Sequence, residues 1–219
     1  MERMSDTKSI DQGKSGTCGF VSVLDVLNRS GRLKHMEKGR DNMTLGEIHQ
    51  RLGAEMITYL KMTEVERPTI AQGILAFTQS FGAPYSGYTS IQDICRRIKN
   101  EVLVGPRNAS DWTNYQGGIG VGFPPAAVLD YLKQVGLKGE QKTVNNPAYT
   151  AQELLKHKDC IVGCGRTDHN SPYGGLRHWV YVTPDGKVCT WGNVTDLTSE
   201  GLPASLTRYG WVPAVIELK

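Results

Sequence analysis

Two stretches of this sequence carry groups that can do chemistry together: a thiol before an amphipathic segment and an imidazole before an alternating one. The first is Gln12-Gly13-Lys14-Ser15-Gly16-Thr17-Cys18-Gly19-Phe20. A cysteine at a helix N-terminus sits at the positive end of the backbone dipole, which is expected to lower its pKa. The thiolate is the nucleophile. Gln12 can bring its side-chain amide beside the sulfur and, with the backbone N–H of Cys18, form an oxyanion hole. The plainer reading of Cys18 is a small buried hydrophobe, as most free cysteines are.

The second stretch is His178-Trp179-Val180-Tyr181-Val182, which returns as Val188-Cys189-Thr190-Trp191-Gly192-Asn193. His178 stands at the start of an expected strand, a fixed place for a general base. Asn193 is expected at the open end of the hairpin beside it. An amide oxygen there would accept the imidazole N–H and set the tautomer. Cysteine, histidine and amide then form a nucleophile, base and orienter.

Other residues compete for these roles. His169, in the loop Arg166-Thr167-Asp168-His169, is the rival base, and Asp196 is the rival orienter. Cys160 and Cys164, with His169 and His178, suggest a zinc site, but their spacing matches no zinc module. No metal and no cofactor are expected. The run Gly117-Gly118-Ile119-Gly120-Val121-Gly122 lacks the Lys-Ser/Thr of a phosphate loop and is expected to wall a cleft instead. His35, His49 and His157 are expected at the surface.

These groups need elements to hold them. Phe20, Val23, Leu24 and Leu27 repeat at helical spacing over 18–29. Further helices are expected over 44–61, with Thr44 and Glu47 as a capping box, and over 69–81, 90–99, 124–135 and 151–157. The period then changes. Residues 160–165 read as a buried strand, 177–183 and 187–193 as a hairpin, and 209–218 as a last strand. Helices first and antiparallel strands afterwards mean α+β. One domain is expected over 1–219, helix-rich over 18–157 and sheet-rich over 158–219.

Composition narrows the function. The chain has 219 residues, with 25 Lys+Arg against 22 Asp+Glu, for a net charge of +3. That balance gives no electrostatic footprint for nucleic acid or a membrane surface. No apolar run approaches a membrane span. The polar N-terminus lacks the apolar stretch of a signal peptide, and five scattered cysteines do not make a disulfide framework. A cytoplasmic origin is expected, with export into a target cell by a route that reads no cleavable signal left open. Glycine is frequent, at 25 residues, and it clusters around Cys18, at 117–122 and just before His178.

The stretch 12–18 resembles the active-site segment of papain-like cysteine peptidases, in which a glutamine precedes the nucleophile by the same interval. Residues 178–193 resemble the histidine strand, turn and asparagine strand of that superfamily. The resemblance covers the two ends of the chain and leaves the middle unplaced. It implies a papain-like fold, with the nucleophile helix packed on a C-terminal antiparallel sheet. It implies Cys18 as nucleophile, His178 as base, Asn193 as orienter and Gln12 as oxyanion donor. Gly19 stands where plant and lysosomal members have tryptophan, and Trp191-Gly192 precede the asparagine instead of following it. Those departures point toward bacterial relatives, among them effector toxins that act on target-cell protein. The implied substrate is a polypeptide, with a neutralising immunity protein in the producer. A peptidoglycan amidase or endopeptidase acting on stem peptides with the same triad is the second reading. A catalytically silent binding module of the same fold is the third.

Overall fold

The protein is described from a computed structural model, which covers residues 9–10, 12, 16–30, 45–103, 119–144, 148–166, 172–197 and 206–219. The first element, α1 (Cys18–Arg29), is buried along its whole interior, from Gly19 to Asn28. A helix enclosed on all sides is a core helix, not a surface one. Even its polar Asp25 is used: Oδ1 accepts the backbone N–H of Ile10 at 2.9 Å.

α2 (Leu45–Glu66), α3 (Pro68–Gln79) and α4 (Ile91–Ile98) pack on one another, and α5 (Pro125–Gln134) joins them to α1 by packing on both α3 and α1. Each starts for a local reason. Pro68 and Pro125 open their helices at positions where a missing N–H costs nothing. Ser90 caps α4 by accepting the Asp93 N–H. The capping box expected at Thr44 lies outside the described residues. The short α6 (Ala151–Leu155) carries the expected cap, with Thr150 Oγ1 accepting from Glu153 N–H at 3.0 Å. His49 is buried on α2 rather than at the surface, because the inner face of that helix packs on its neighbours.

The sheet has six strands: β1 (Gly139–Lys142), β2 (Cys160–Gly165), β3 (Leu176–Val182), β4 (Lys187–Thr190), β5 (Asn193–Asp196) and β6 (Trp211–Leu218). Their order is β1-β6-β2-β3-β4-β5, and every pair is antiparallel. The class is therefore α+β. β1 was not expected, because Gly-Glu-Gln-Lys has little strand propensity; it forms as an edge strand by pairing with β6.

Side chains alternate across β3. Trp179 and Tyr181 join the core shared with α1, α2, α3 and α5. Val180 and Val182 face a second core with Cys160, Val162, Cys164, Leu206 and Tyr209. One run was expected over 187–193, but it is two strands. Trp191 and Gly192 both take positive φ, at 44° and 75°, and form a two-residue hairpin loop that pairs Thr190 with Asn193.

The glycine-rich segment is tied to both α3 and the chain ahead of Cys18. Gly16 N–H donates to Ile119 O at 2.6 Å, and Val121 N–H donates to Gly16 O at 3.0 Å. Gly122 N–H donates to Thr78 Oγ1 at 2.8 Å. A β-carbon on Gly122 would lie 2.9 Å from backbone atoms of Phe77 and Thr78. Gly122→Ala is accordingly expected to destabilise the fold by about 1–3 kcal/mol. Calorimetry would show this as a fall in Tm of several degrees, and an unchanged Tm would mean that α3 moves aside freely.

Candidate active site

Cys18 is the first residue of α1. The first intrahelical hydrogen bond there runs from Val21 N–H to Thr17 O, so the amides ahead of it face out of the helix end. Gly19 must follow it. A β-carbon there would sit 2.5 Å from Phe123 Cβ and 3.0 Å from Trp179 Cδ1. The residue after Cys18 is therefore packed against α5's lead-in and β3, which leaves no room for a larger side chain.

The sulfur meets β3. Burial pushes the Cys18 thiol up to about 11, while the backbone amides of Trp179, Gly19 and Cys18 itself pull the other way. Desolvation wins over those amides. The expectation of a lowered thiol pKa is thus reversed: the helix terminus is present, but desolvation of the part-buried sulfur outweighs it. The Trp179 amide belongs to the peptide unit that joins it to His178, so the group that acts on the thiol is the backbone next to the imidazole.

His178 is buried at 3% exposure. Its ring stacks on two aromatic rings. Trp191 is 4.1 Å away between centroids and 5° from parallel, and Tyr209 is 5.6 Å away and 6° from parallel. Nε2 is 2.9 Å from Thr190 Oγ1. Burial first, and then the Arg208 charge, lower the imidazole pKa to about 3. The Arg208 guanidinium stands over both flanking rings, 5.3 Å from Trp191 and 5.2 Å from Tyr209. Thiol and imidazole are therefore both neutral at pH 7.

The orienter expected at Asn193 is elsewhere. Asn193 is exposed, and its Nδ2 donates to Trp191 O at 3.0 Å. The reason is register. Tyr181 pairs with Cys189 and Val182 with Val188, so even-numbered residues of β3 and β4 share a face. Thr190 lies diagonally across from His178 on that face. Asn193 is odd-numbered and comes after the turn. Asp196 pairs with Lys187 at the far end of the β4–β5 hairpin, so the rival orienter is also displaced. Sequence reasoning missed Thr190, Trp191 and Tyr209. The parity of Thr190 with His178, and Gly192 as a turn residue, were the available signals.

Gln12 is buried at 4% exposure. Just before it, Ser9 N–H donates to Gly192 O at 3.2 Å, and Gly192 N–H donates to Ile10 O at 3.3 Å. This ties the chain leading to Gln12 against the turn that carries Trp191. His169 and Asp168 lie outside the described residues. Cys160 and Cys164 are buried in the second core, and among the described residues no group of three metal-ligating side chains is gathered. Among those residues too, no helix is long and apolar enough to cross a membrane.

Beside the sulfur opens a cavity of about 180 Å³. Its walls include Cys18, Gly16, Gly120 and Gly122, with Phe81, Tyr85 and Arg177. A β-carbon on Gly120 would fall 2.6 Å from the Tyr85 ring, so glycine lets the wall close. Gly16, Gly120 and Gly122 thus border one space, as the glycine clustering suggested. Gly13, Gly117 and Gly118 lie outside the described residues.

Among known proteins, no family model, curated protein or solved structure matches this chain.

The buried imidazole makes stability depend on pH. Between about 3 and the ordinary imidazole value of 6.5, the unfolded chain binds a proton that the folded chain refuses. Stability is therefore complete above that window and falls as pH drops through it. From pH 6.5 to 4.5 the loss from this group is about 2–3 kcal/mol. Urea unfolding of wild type and His178→Gln at pH 7.5 and 4.5 is expected to show a smaller acid loss in the variant. Equal losses would refute the assignment.

Proposed function

We propose that this chain is a papain-like cysteine peptidase that hydrolyses an amide bond of a polypeptide through an acyl-enzyme on Cys18. The observation that carries this reading is that the helix-terminal Cys18 lines, together with Trp179 next to the buried His178, an open, aromatic-walled cavity.

In the proposed reaction His178 Nδ1 takes the thiol proton as Sγ attacks the substrate carbonyl carbon. The pair rests neutral, so proton transfer accompanies attack and no stored thiolate is needed. The Cys18 amide and the Gln12 side chain receive the developing oxyanion. As the tetrahedral species collapses, the C–N bond breaks and the imidazolium gives its proton to the leaving amine. Water, deprotonated by the same imidazole, then splits the thioester and restores the thiol. Polypeptide is favoured as substrate because the cavity walls are mainly apolar and aromatic, with Arg177 the one charged residue lining it among the described residues. The effector role rests on the resemblance of residues 12–18 and 178–193 alone.

N-terminus mapping of proteins in cells expressing wild type or Cys18→Ala tests the reading. Wild type is expected to create new N-termini, and Cys18→Ala is expected to keep its circular dichroism spectrum and create none. His178→Ala is expected to cut turnover by at least about 10²-fold. Cleavage by Cys18→Ala at the wild-type rate would overturn the proposal. Release of muropeptides from purified sacculi, without protein cleavage, would transfer the same chemistry to peptidoglycan.

A further inference from the structure

We propose that Thr190 is the positioning residue of this site: its hydroxyl accepts Nε2–H of His178 and so leaves the Nδ1 lone pair for the thiol. The consequence for turnover rests on the Cys18–His178 reading, but the hydrogen bond itself does not.

Four observations lead there. First, His178 and Thr190 are both buried, at 3% and 8% exposure, and buried polar atoms in native proteins are paired. Their atoms are 2.9 Å apart. Second, the ring cannot turn to another partner. Trp191 and Tyr209 stack on it nearly parallel, 5° and 6° from its plane, which confines the imidazole to one plane containing Thr190 Oγ1.

Third, the Arg208 cation over those two rings disfavours a second positive charge on the imidazole stacked beside them. A neutral imidazole carries one proton, so one nitrogen donates and the other accepts. Fourth, the proposed chemistry selects which. The base has to accept the thiol proton at Nδ1, so Nε2 carries the ring's own proton and Thr190 Oγ1, 2.9 Å away, accepts it.

A hydroxyl here differs from the asparagine that the sequence suggested. It is a neutral group, so it hydrogen-bonds the ring without stabilising an imidazolium as a carboxylate would. The aromatic clamp supplies the orientation that a larger orienting side chain would otherwise give.

Long-range ¹H–¹⁵N correlation spectra of labelled protein at pH 7 test this. Wild-type His178 is expected in the Nε2–H form. Thr190→Val keeps the volume and removes the acceptor, so the spectrum is expected to shift toward the Nδ1–H form. Turnover is expected to fall roughly ten- to hundredfold, less than removal of the base itself. Thr190→Ser is expected to restore both readouts, and Asn193→Ala to move neither. Thr190→Ala provides a second deletion of the hydroxyl with no added bulk. An unchanged Nε2–H spectrum in both Thr190→Val and Thr190→Ala would overturn the proposal, as would a tautomer change in Asn193→Ala. If wild type cleaves nothing while the spectra behave as expected, the peptidase reading fails and the positioning role stands.

Discussion

The amide of Trp179 points toward β4 and finds no strand there. Thr183 N–H donates to Lys187 O, so odd-numbered amides of β3 face β4. β4 covers Tyr181 and Val182 and then leaves through the positive-φ pair Trp191–Gly192. The start of α1 lies against β3 there: a β-carbon on Gly19 would fall 3.0 Å from the Trp179 ring, and the Trp179 amide pulls the Cys18 thiol pKa down against its burial. The same turn lays Trp191 on the imidazole and carries Asn193 away from it.

The middle of the chain holds this junction in place. Phe20 of α1 stacks on Tyr131 at 4.4 Å and meets Phe123 edge-on at 6.0 Å. The indole of Trp179 donates to Phe123 O at 2.9 Å, linking β3 to the segment entering α5. Tyr59 of α2 donates to Asp130 Oδ2 at 2.8 Å and fixes α5 from behind. The close packing also sets the electrostatics. A helix terminus is worth about 0.3–1 kcal/mol, up to ~2 when partly buried. The rise of the thiol from 9.0 to about 11 represents about 3 kcal/mol of net opposing free energy. Burial therefore outweighs the pull of the surrounding backbone amides, and the resting thiol and imidazole are neutral.

Much of the fold was legible because its signals are local. The repeat of Phe20, Val23, Leu24 and Leu27, the prolines opening α3 and α5, and the caps at Ser90 and Thr150 each act within a turn or two. The alternation of β2 and β3 was equally plain. β1 was not, because its stability comes from pairing with β6 and not from its own residues. Of the candidate site, Cys18 and His178 were legible as residues that start elements, and Gln12 is buried nearby along the chain. Thr190 was not, because its place depends on strand register. A shift of one residue moves a side chain to the opposite face, and the split of β4 from β5 lies within a stretch whose composition reads as one strand.

The sequence by itself determined the helices, the antiparallel hairpin, the α+β class and a thiol and an imidazole at the beginnings of their elements. Those depend on periodicity, caps and turn residues, which act over short stretches of chain. Tertiary structure alone decided which hydroxyl meets the imidazole, that both partners rest uncharged, and that glycines from distant segments border one cavity. Hydrogen-bond register and desolvation depend on residues far apart in sequence, such as Cys18 with Trp179 and His178 with Arg208. No local pattern encodes how closely such residues approach once the core has excluded water.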